Sequence, residues 1–145
     1  MKTKSLFIAG CTAILLLATT FVACEKNPAS QPVVDPTTGE TYYSIVGKWV
    51  YNRETDYSGK TTVTLVFRAD NTGTQTVQSS AGTEIYEMRY NYDPKTCLGD
   101  RILLIPGYDP YPEYFKLKWY GSDIFSSYIQ DPDGDWDLTG TFQRQ

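Results

Sequence analysis

From Tyr42 onward, apolar and polar residues alternate along the chain with a period of two. Such alternation is typical of β-strands that turn one face to a core and the other to solvent, whereas an amphipathic helix repeats every 3.6 residues. Glu84–Asp93 shows it most clearly, since one side of this segment carries Tyr86, Met88, Tyr90 and Tyr92. No long window has helical periodicity, so the pattern predicts an all-β domain.

Turn signals divide the same region into short segments. Ala69–Gly73 and Ser79–Gly82 are rich in turn-forming residues, and Asp133-Gly134 is the strongest hairpin signal in the chain. The predicted strands are Ser44–Tyr51, Thr62–Phe67, Thr74–Gln78, Glu84–Asp93, Arg101–Ile105, Glu113–Tyr120, Asp123–Gln130 and Trp136–Arg144. A meander of eight strands closes into an antiparallel up-and-down barrel, which removes exposed edges, or stays partly open as a related sandwich.

The apolar faces of these strands carry many large side chains, and alternation places Trp136, Leu138, Gly140, Phe142 and Arg144 on one face of the last strand. The large residues expected inside are Trp49, Phe67, Tyr86, Met88, Tyr90, Phe115, Trp119, Trp136 and Phe142. An eight-stranded barrel has room for side chains or for one small ligand. We therefore expect a small cavity or none, with any ligand near one end.

The first and last predicted strands should meet. Because eight is even, they run antiparallel in a closed barrel, which brings Trp49 beside Arg144. Arg144 shares the parity of Phe142 and thus points to the core face. Gly47, two residues before Trp49, lets the indole turn inward while the neighbouring backbone packs closely. Gly47, Trp49 and Arg144 are therefore the predicted closure residues.

The N-terminal segment has a different character. Lys2 and Lys4 precede an apolar run, Leu6–Ala23, as in an export signal. The run ends in Phe21-Val22-Ala23-Cys24, which resembles the lipobox of bacterial lipoproteins. The resemblance implies a signal peptide over residues 1–23 and acyl chains on Cys24, which anchor the protein in a membrane. An ordinary cleaved signal and an uncleaved membrane helix are the alternatives.

Residues 24–41 are rich in Pro, Ser and Thr and nearly free of apolar side chains, so they are expected to form a flexible tether before a domain over residues 42–145. The resemblance to a lipobox implies a place in the bacterial cell envelope, and we expect the protein at the outer membrane. The residues after Cys24 give no sorting signal, so the periplasmic and the outer face both stay open.

Composition excludes several functions. The chain has no His and a net charge of −4, so the commonest catalytic base and metal ligand is missing and nucleic-acid binding is disfavoured. Beyond Cys24 only Cys97 remains, so no disulfide forms within one mature chain. In Asp131–Asp137 every second residue is Asp, but Trp136 and Phe142 replace the Gly and Glu of an EF-hand loop, so a hairpin turn is favoured over a calcium site. We expect no enzyme, metal or cofactor.

Three motifs together resemble the lipocalin-like domain, and more narrowly the small lipocalin-like lipoproteins of Gram-negative bacteria. They are Val46-Gly47-Lys48-Trp49, the turn Phe67–Gly73 and the closing Phe142-Gln143-Arg144, and the resemblance covers Ser44–Gln145. It implies an eight-stranded barrel with the closing Arg over the Trp at its base. The T-D-Y motif that full lipocalins carry late in the barrel stands here just after the first strand, as Thr55-Asp56-Tyr57.

The expected function is therefore non-catalytic binding by a membrane-anchored domain. A small, partly apolar ligand at the barrel mouth is the main hypothesis, and a protein-interaction module that uses its loops is the alternative. The expected contacts are the interior Tyr86, Tyr90 and Tyr92, with Tyr108 and Tyr111 from the Tyr- and Pro-rich loop 107–112.

Overall fold

The computed structural model describes residues 31–55 and 59–145. A small hairpin of β1 (Val33–Val34) and β2 (Thr41–Tyr42) precedes a closed antiparallel up-and-down barrel of eight strands. The barrel strands are β3 (Gly47–Thr55), β4 (Gly59–Phe67), β5 (Thr72–Ser79), β6 (Gly82–Asp93), β7 (Leu98–Leu104), β8 (Pro112–Trp119), β9 (Ile124–Gln130) and β10 (Trp136–Arg144). The predicted fold class is thus confirmed, and the described part of the chain contains no helix.

The barrel has two different ends. At one end, called the base, lie the connections 68–71, 94–97 and 120–123 together with the N-terminal segment that leads into β3. At the other end, called the mouth, lie the connections 80–81, 105–111 and 131–135. Consecutive strands pair throughout, and each of these six connections is a turn or a short loop.

Large side chains fill the core nearest the base. Trp49 and Phe125 are 0% exposed and Met88 is 1% exposed. The Trp49 ring lies 4.5 Å from that of Phe125 and 5.5 Å from that of Trp119, measured between centroids. Ring pairs at these separations add specific geometry to the burial of area. The interior here is a packed aromatic core.

Glycines give the larger inward side chains their space. A Cβ at Gly99 would collide with the Phe115 ring on the neighbouring strand, and a Cβ at Gly140 would collide with the Tyr51 ring. At these inward positions a glycine on one strand therefore lies against a large ring from another strand, which suits a narrow barrel.

The face predicted for Trp136 and Leu138, at the start of the last strand, is wrong because β10 contains a β-bulge. Leu138 pairs with Tyr128, but the next pair is Gly140 with Ser127, so Thr139 is an extra residue. One extra residue reverses which face the preceding side chains occupy. Leu138 is 61% exposed as a result.

Trp136 lies on the same side of the bulge and thus also packs on the outside of the barrel, where the ammonium nitrogen of Lys116 lies 4.8 Å from its ring centroid. Trp136 is only partly buried and, contrary to the prediction, is not one of the large residues inside the barrel.

The seam between the first and last barrel strands is short. Val50 pairs with Gln143 and Trp49 with Arg144, and the amide of Gln145 donates to the carbonyl of Lys48 at 2.9 Å. In contrast, β3 and β4 pair from Gly47 to Thr55. The barrel is closed at the base, and the β3–β10 pairing among the described residues does not continue toward the mouth.

The part of the predicted tether that the structure describes is ordered into the β1–β2 hairpin. The Asp35 carboxylate accepts hydrogen bonds from the amides of Thr37 at 2.8 Å and Thr38 at 3.3 Å, and these bonds lower the pKa of Asp35. The amide of Asp35 in turn donates to the carbonyl of Glu40 at 2.8 Å. Cys24 and the signal segment lie outside the described residues.

Candidate binding clefts at the two ends of the barrel

The base is held together by Arg144. Its guanidinium carbon lies 4.1 Å from the centroid of the Trp49 ring, which is the arrangement that the resemblance to lipocalin-like domains implies. Three of its nitrogens donate to backbone carbonyls, to Val46 at 2.8 Å, Ser44 at 3.0 Å and Ser122 at 3.2 Å. Burial lowers the pKa of Arg144, and the carboxylate of Asp123, 3.5 Å away, opposes this shift. A single side chain thus ties β10 to the strand entry and to a base turn.

The chain around Arg144 closes the base. Gly47 has φ 142° and lies against the guanidinium, so a Cβ there would come within 2.5 Å of Nη1 of Arg144. The indole nitrogen of Trp49 donates to the carbonyl of Ile45 at 2.7 Å, and the Ile45 side chain is itself buried. Ile45 belongs to the core cluster, so the N-terminal segment packs onto this end of the barrel.

A cleft of about 420 Å³ lies outside this closure, between the N-terminal segment and the barrel. We call it the base cleft, and its larger wall residues are Val33, Tyr42, Tyr43, Ile45, Val46, Tyr90, Tyr92 and Pro94. Tyr43 stacks on Trp119 with 5.2 Å between ring centroids. Lys95 stands at the rim, with its ammonium 5.8 Å from the Tyr42 ring centroid. The cleft is lined mainly by ring faces and aliphatic groups.

Two of the predicted contact residues, Tyr90 and Tyr92, line the base cleft. The hydroxyl of Tyr90 donates to the carbonyl of Arg68 at 2.6 Å, and the hydroxyl of Tyr92 accepts from the indole nitrogen of Trp119 at 2.8 Å. Burial raises the pKa of Tyr90 and that of Tyr92, so both phenols are neutral across the physiological range. The protein itself supplies the hydroxyl partners, and the rings present apolar surface to the cleft.

The other three predicted tyrosines lie away from this cleft. Tyr86 sits further toward the mouth, where its hydroxyl donates to the carboxylate of Glu84 at 2.6 Å. Tyr108 and Tyr111, 76% and 73% exposed, belong to the mouth loop 105–111. The structure therefore divides the five tyrosines between the two ends of the barrel and does not assemble them into one site.

Sequence reasoning missed an ion pair on the inward side of the barrel. Nε of Arg101 lies 2.8 Å from a carboxylate oxygen of Glu113, and Nη1 donates to the amide oxygen of Gln75 at 3.0 Å. The signal was present, because Glu113 shares strand parity with Phe115. It was overlooked because an inward charge is unexpected unless its partner is known.

A second cleft, of about 360 Å³, lies at the mouth between residues 111–114, where β8 begins, and residues 129–134, where β9 ends and the turn follows. We call it the mouth cleft. It is lined by Tyr111, Pro112, Glu113, Tyr114, Ile129, Gln130, Asp131, Pro132 and Gly134. Apolar and polar groups are mixed here, unlike at the base.

The aspartates of the β9–β10 connection build a turn. Oδ1 of Asp131 accepts hydrogen bonds from the amides of Asp133 at 3.0 Å and Asp135 at 2.8 Å. Across residues 31–55 and 59–145 no group of three or more acidic, Cys or His side chains is placed to hold a metal ion. Cys97 is a half-buried free thiol in a base turn, with φ 58° and its sulfur 3.8 Å from the carbonyl of Pro94.

Comparisons of the chain with protein-family models, with curated proteins and with solved structures find no match. A search of the described part of the chain for helices long and apolar enough to cross a membrane also finds none.

Proposed function

We propose that this protein is a lipid-anchored component of the bacterial cell envelope whose barrel domain binds a small, mostly apolar molecule without catalysis. The observation that supports this most is the base cleft with its wall of tyrosine rings. We therefore propose that the ligand binds at the base of the barrel and not at the mouth, where the sequence suggested it.

The lining of the base cleft suits an apolar ligand better than a polar one. A volume of about 420 Å³ falls within the usual range for small-molecule sites, about 300–1,000 Å³. Because the hydroxyls of Tyr90 and Tyr92 are already bonded within the protein, a ligand does not have to replace hydrogen bonds lost there. Binding would instead gain about 25 cal/mol for each Å² of apolar area removed from water.

Filling the cleft tests this assignment. Ala69 lines the base cleft and is exposed, so Ala69→Trp should occupy the site at little cost in stability. We expect the neutral fluorescent probe N-phenyl-1-naphthylamine to bind the purified protein and Ala69→Trp to weaken that binding at least ten-fold, measured by fluorescence titration. Ala81→Trp is the matched control, because Ala81 is an exposed alanine in the mouth turn 80–81. Equal binding by both variants would place the probe elsewhere and refute the assignment.

The lipid anchor is tested separately at Cys24. We expect Cys24→Ser to abolish incorporation of a labelled fatty acid in the bacterial host and to leave the unprocessed precursor. Cys97→Ser provides the control, since Cys97 lies in the barrel domain and should be irrelevant to acylation. Labelling that persists in Cys24→Ser, or that disappears in Cys97→Ser, would contradict the anchor.

A further inference from the structure

We propose that the mouth cleft is a second binding site and that its ligand is a neutral saccharide. This site lies at the opposite end of the barrel from the base cleft and does not depend on the proposed apolar ligand. The inference rests on three properties of the cleft: an exposed aromatic ring, an excess of hydrogen-bond acceptors, and rigid walls.

An exposed ring lines the cleft. Tyr111 is 73% exposed and belongs to the cleft wall. Pro112 follows it in the sequence and also lines the cleft. The face of an aromatic ring carries negative charge density and attracts the slightly positive C–H groups on the flat side of a sugar ring. Such rings offer a saccharide apolar contact without enclosing it.

The polar groups of the cleft are mainly acceptors. One carboxylate oxygen of Glu113 is bonded to Arg101, and Oδ1 of Asp131 accepts two backbone amides. Gln130 uses its amide nitrogen to donate to the carbonyl of Gly134 at 3.1 Å. Each of these side chains keeps an oxygen without a hydrogen-bond partner among the described residues. A ligand with many hydrogen-bond donors, such as hydroxyl groups, could bind these oxygens.

Charge narrows the ligand class further. None of the residues that line the mouth cleft is Lys or Arg, and the chain carries a net charge of −4, so carboxylate and phosphate ligands are disfavoured. Glu113 is already paired with Arg101 at 2.8 Å, which leaves less negative charge to attract an ammonium group. A neutral, hydroxyl-rich ligand fits this balance best.

The walls of the cleft are already ordered before any ligand binds. In the turn 131–135 the amide of Asp131 donates to the carbonyl of Asp135 at 2.9 Å, and that of Gly134 donates to the carbonyl of Asp131 at 3.1 Å. Pro110 and Pro112 restrict the backbone on either side of Tyr111. Binding to a site that is already ordered avoids much of the entropic cost of ordering loops.

The test is isothermal titration of the purified protein with cellohexaose, xylohexaose, mannohexaose and maltohexaose, beside spermine and hexagalacturonate. We expect at least one neutral hexaose to bind and neither charged compound to bind more tightly. Tyr111→Ala should weaken the binding of that hexaose at least ten-fold, whereas Tyr111→Phe, which keeps the ring, should stay within about three-fold. Tyr108→Ala is the matched control, because Tyr108 is equally exposed in the same loop but does not line the cleft.

Several results would overturn the proposal. They are the absence of binding by all four neutral hexaoses, an equal loss in Tyr108→Ala and Tyr111→Ala, and tighter binding of spermine with the same dependence on Tyr111. The two sites are kept apart by cross-titration. Ala69→Trp should leave saccharide binding unchanged, and Tyr111→Ala should leave binding of N-phenyl-1-naphthylamine unchanged, so either site can fail without the other.

Discussion

Replacement of Trp49 by alanine is expected to lower the free energy of unfolding by about 3–5 kcal/mol, as is usual when a large buried aromatic side chain is truncated. Trp49 is fully buried, packs against the rings of Trp119 and Phe125, and bonds the carbonyl of Ile45. The substitution leaves a cavity in the core and an unpaired carbonyl beside it. Urea unfolding followed by far-ultraviolet circular dichroism measures the change.

The matched control is the same substitution at Trp136. Because the bulge at Thr139 turns Trp136 to the outside, where Lys116 lies over its ring, Trp136→Ala should cost less than about 1 kcal/mol. If both variants lost the same large amount of stability, Trp136 would belong to the interior and the bulge would be misplaced.

Replacement of Arg144 by alanine is expected to cost about 3 kcal/mol or more. A stacked guanidinium contributes about 0.5–2 kcal/mol, and each buried carbonyl left without a donor costs about 1–3 kcal/mol. Arg144 serves three partly buried carbonyls, those of Ser44, Val46 and Ser122, so each loss should lie toward the lower end of that range. Its loss should therefore loosen both the N-terminal segment and the strand seam, and the same urea titration measures the change in free energy.

Two further variants separate the geometry of Arg144 from its charge. Arg144→Lys keeps the charge but not the planar fork that reaches several carbonyls, so its stability should fall between those of wild type and Arg144→Ala. Arg53→Ala removes an Arg whose side chain is exposed on β3 and should cost less than about 1 kcal/mol. Losses that are equally small for Arg53→Ala and Arg144→Ala would show that Arg144 does not hold the base closed.

Alternation and turn signals together predicted an eight-stranded meander, because most of its strands turn one face to the core. The pattern in Glu84–Asp93 corresponds to β6, in which Met88 and Tyr90 are buried. It failed at Thr139, since Trp136, Leu138, Gly140 and Phe142 alternate without a break across this residue, and nothing in the pattern shows that it is unpaired. The number of residues between turns does not reveal a bulge, which depends on the register that β9 imposes.

The β1–β2 hairpin was missed for a related reason. Each of its strands has only two residues, which is too short for any periodicity to be detected. The turn signal was nevertheless present, because Asp35-Pro36 is followed by Gly39, which adopts φ 72°. A polar, Pro-containing composition predicts a tether, and composition alone cannot detect the local hydrogen bonds of a turn.

Strand parity predicts the face on which a residue lies but not its neighbours along the barrel axis. Tyr86 and Tyr92 share a face of one strand, yet at about 3.3 Å per residue they are about 20 Å apart. One small ligand cannot contact both. The partners of their hydroxyls also lie beyond the reach of sequence patterns, since Tyr92 meets Trp119 across a separation of 27 residues.

The short seam between β3 and β10 bears on the order of folding. The bond from Arg144 to the carbonyl of Ser44 joins residues 100 positions apart, so β3 has its final neighbour only after the rest of the barrel has been synthesised. Contacts of such high sequence separation slow folding, because the entropy of loop closure is lost before they form. An emerging chain would therefore stay incompletely folded until its last strand appears, so the barrel closes only after synthesis of the domain is complete.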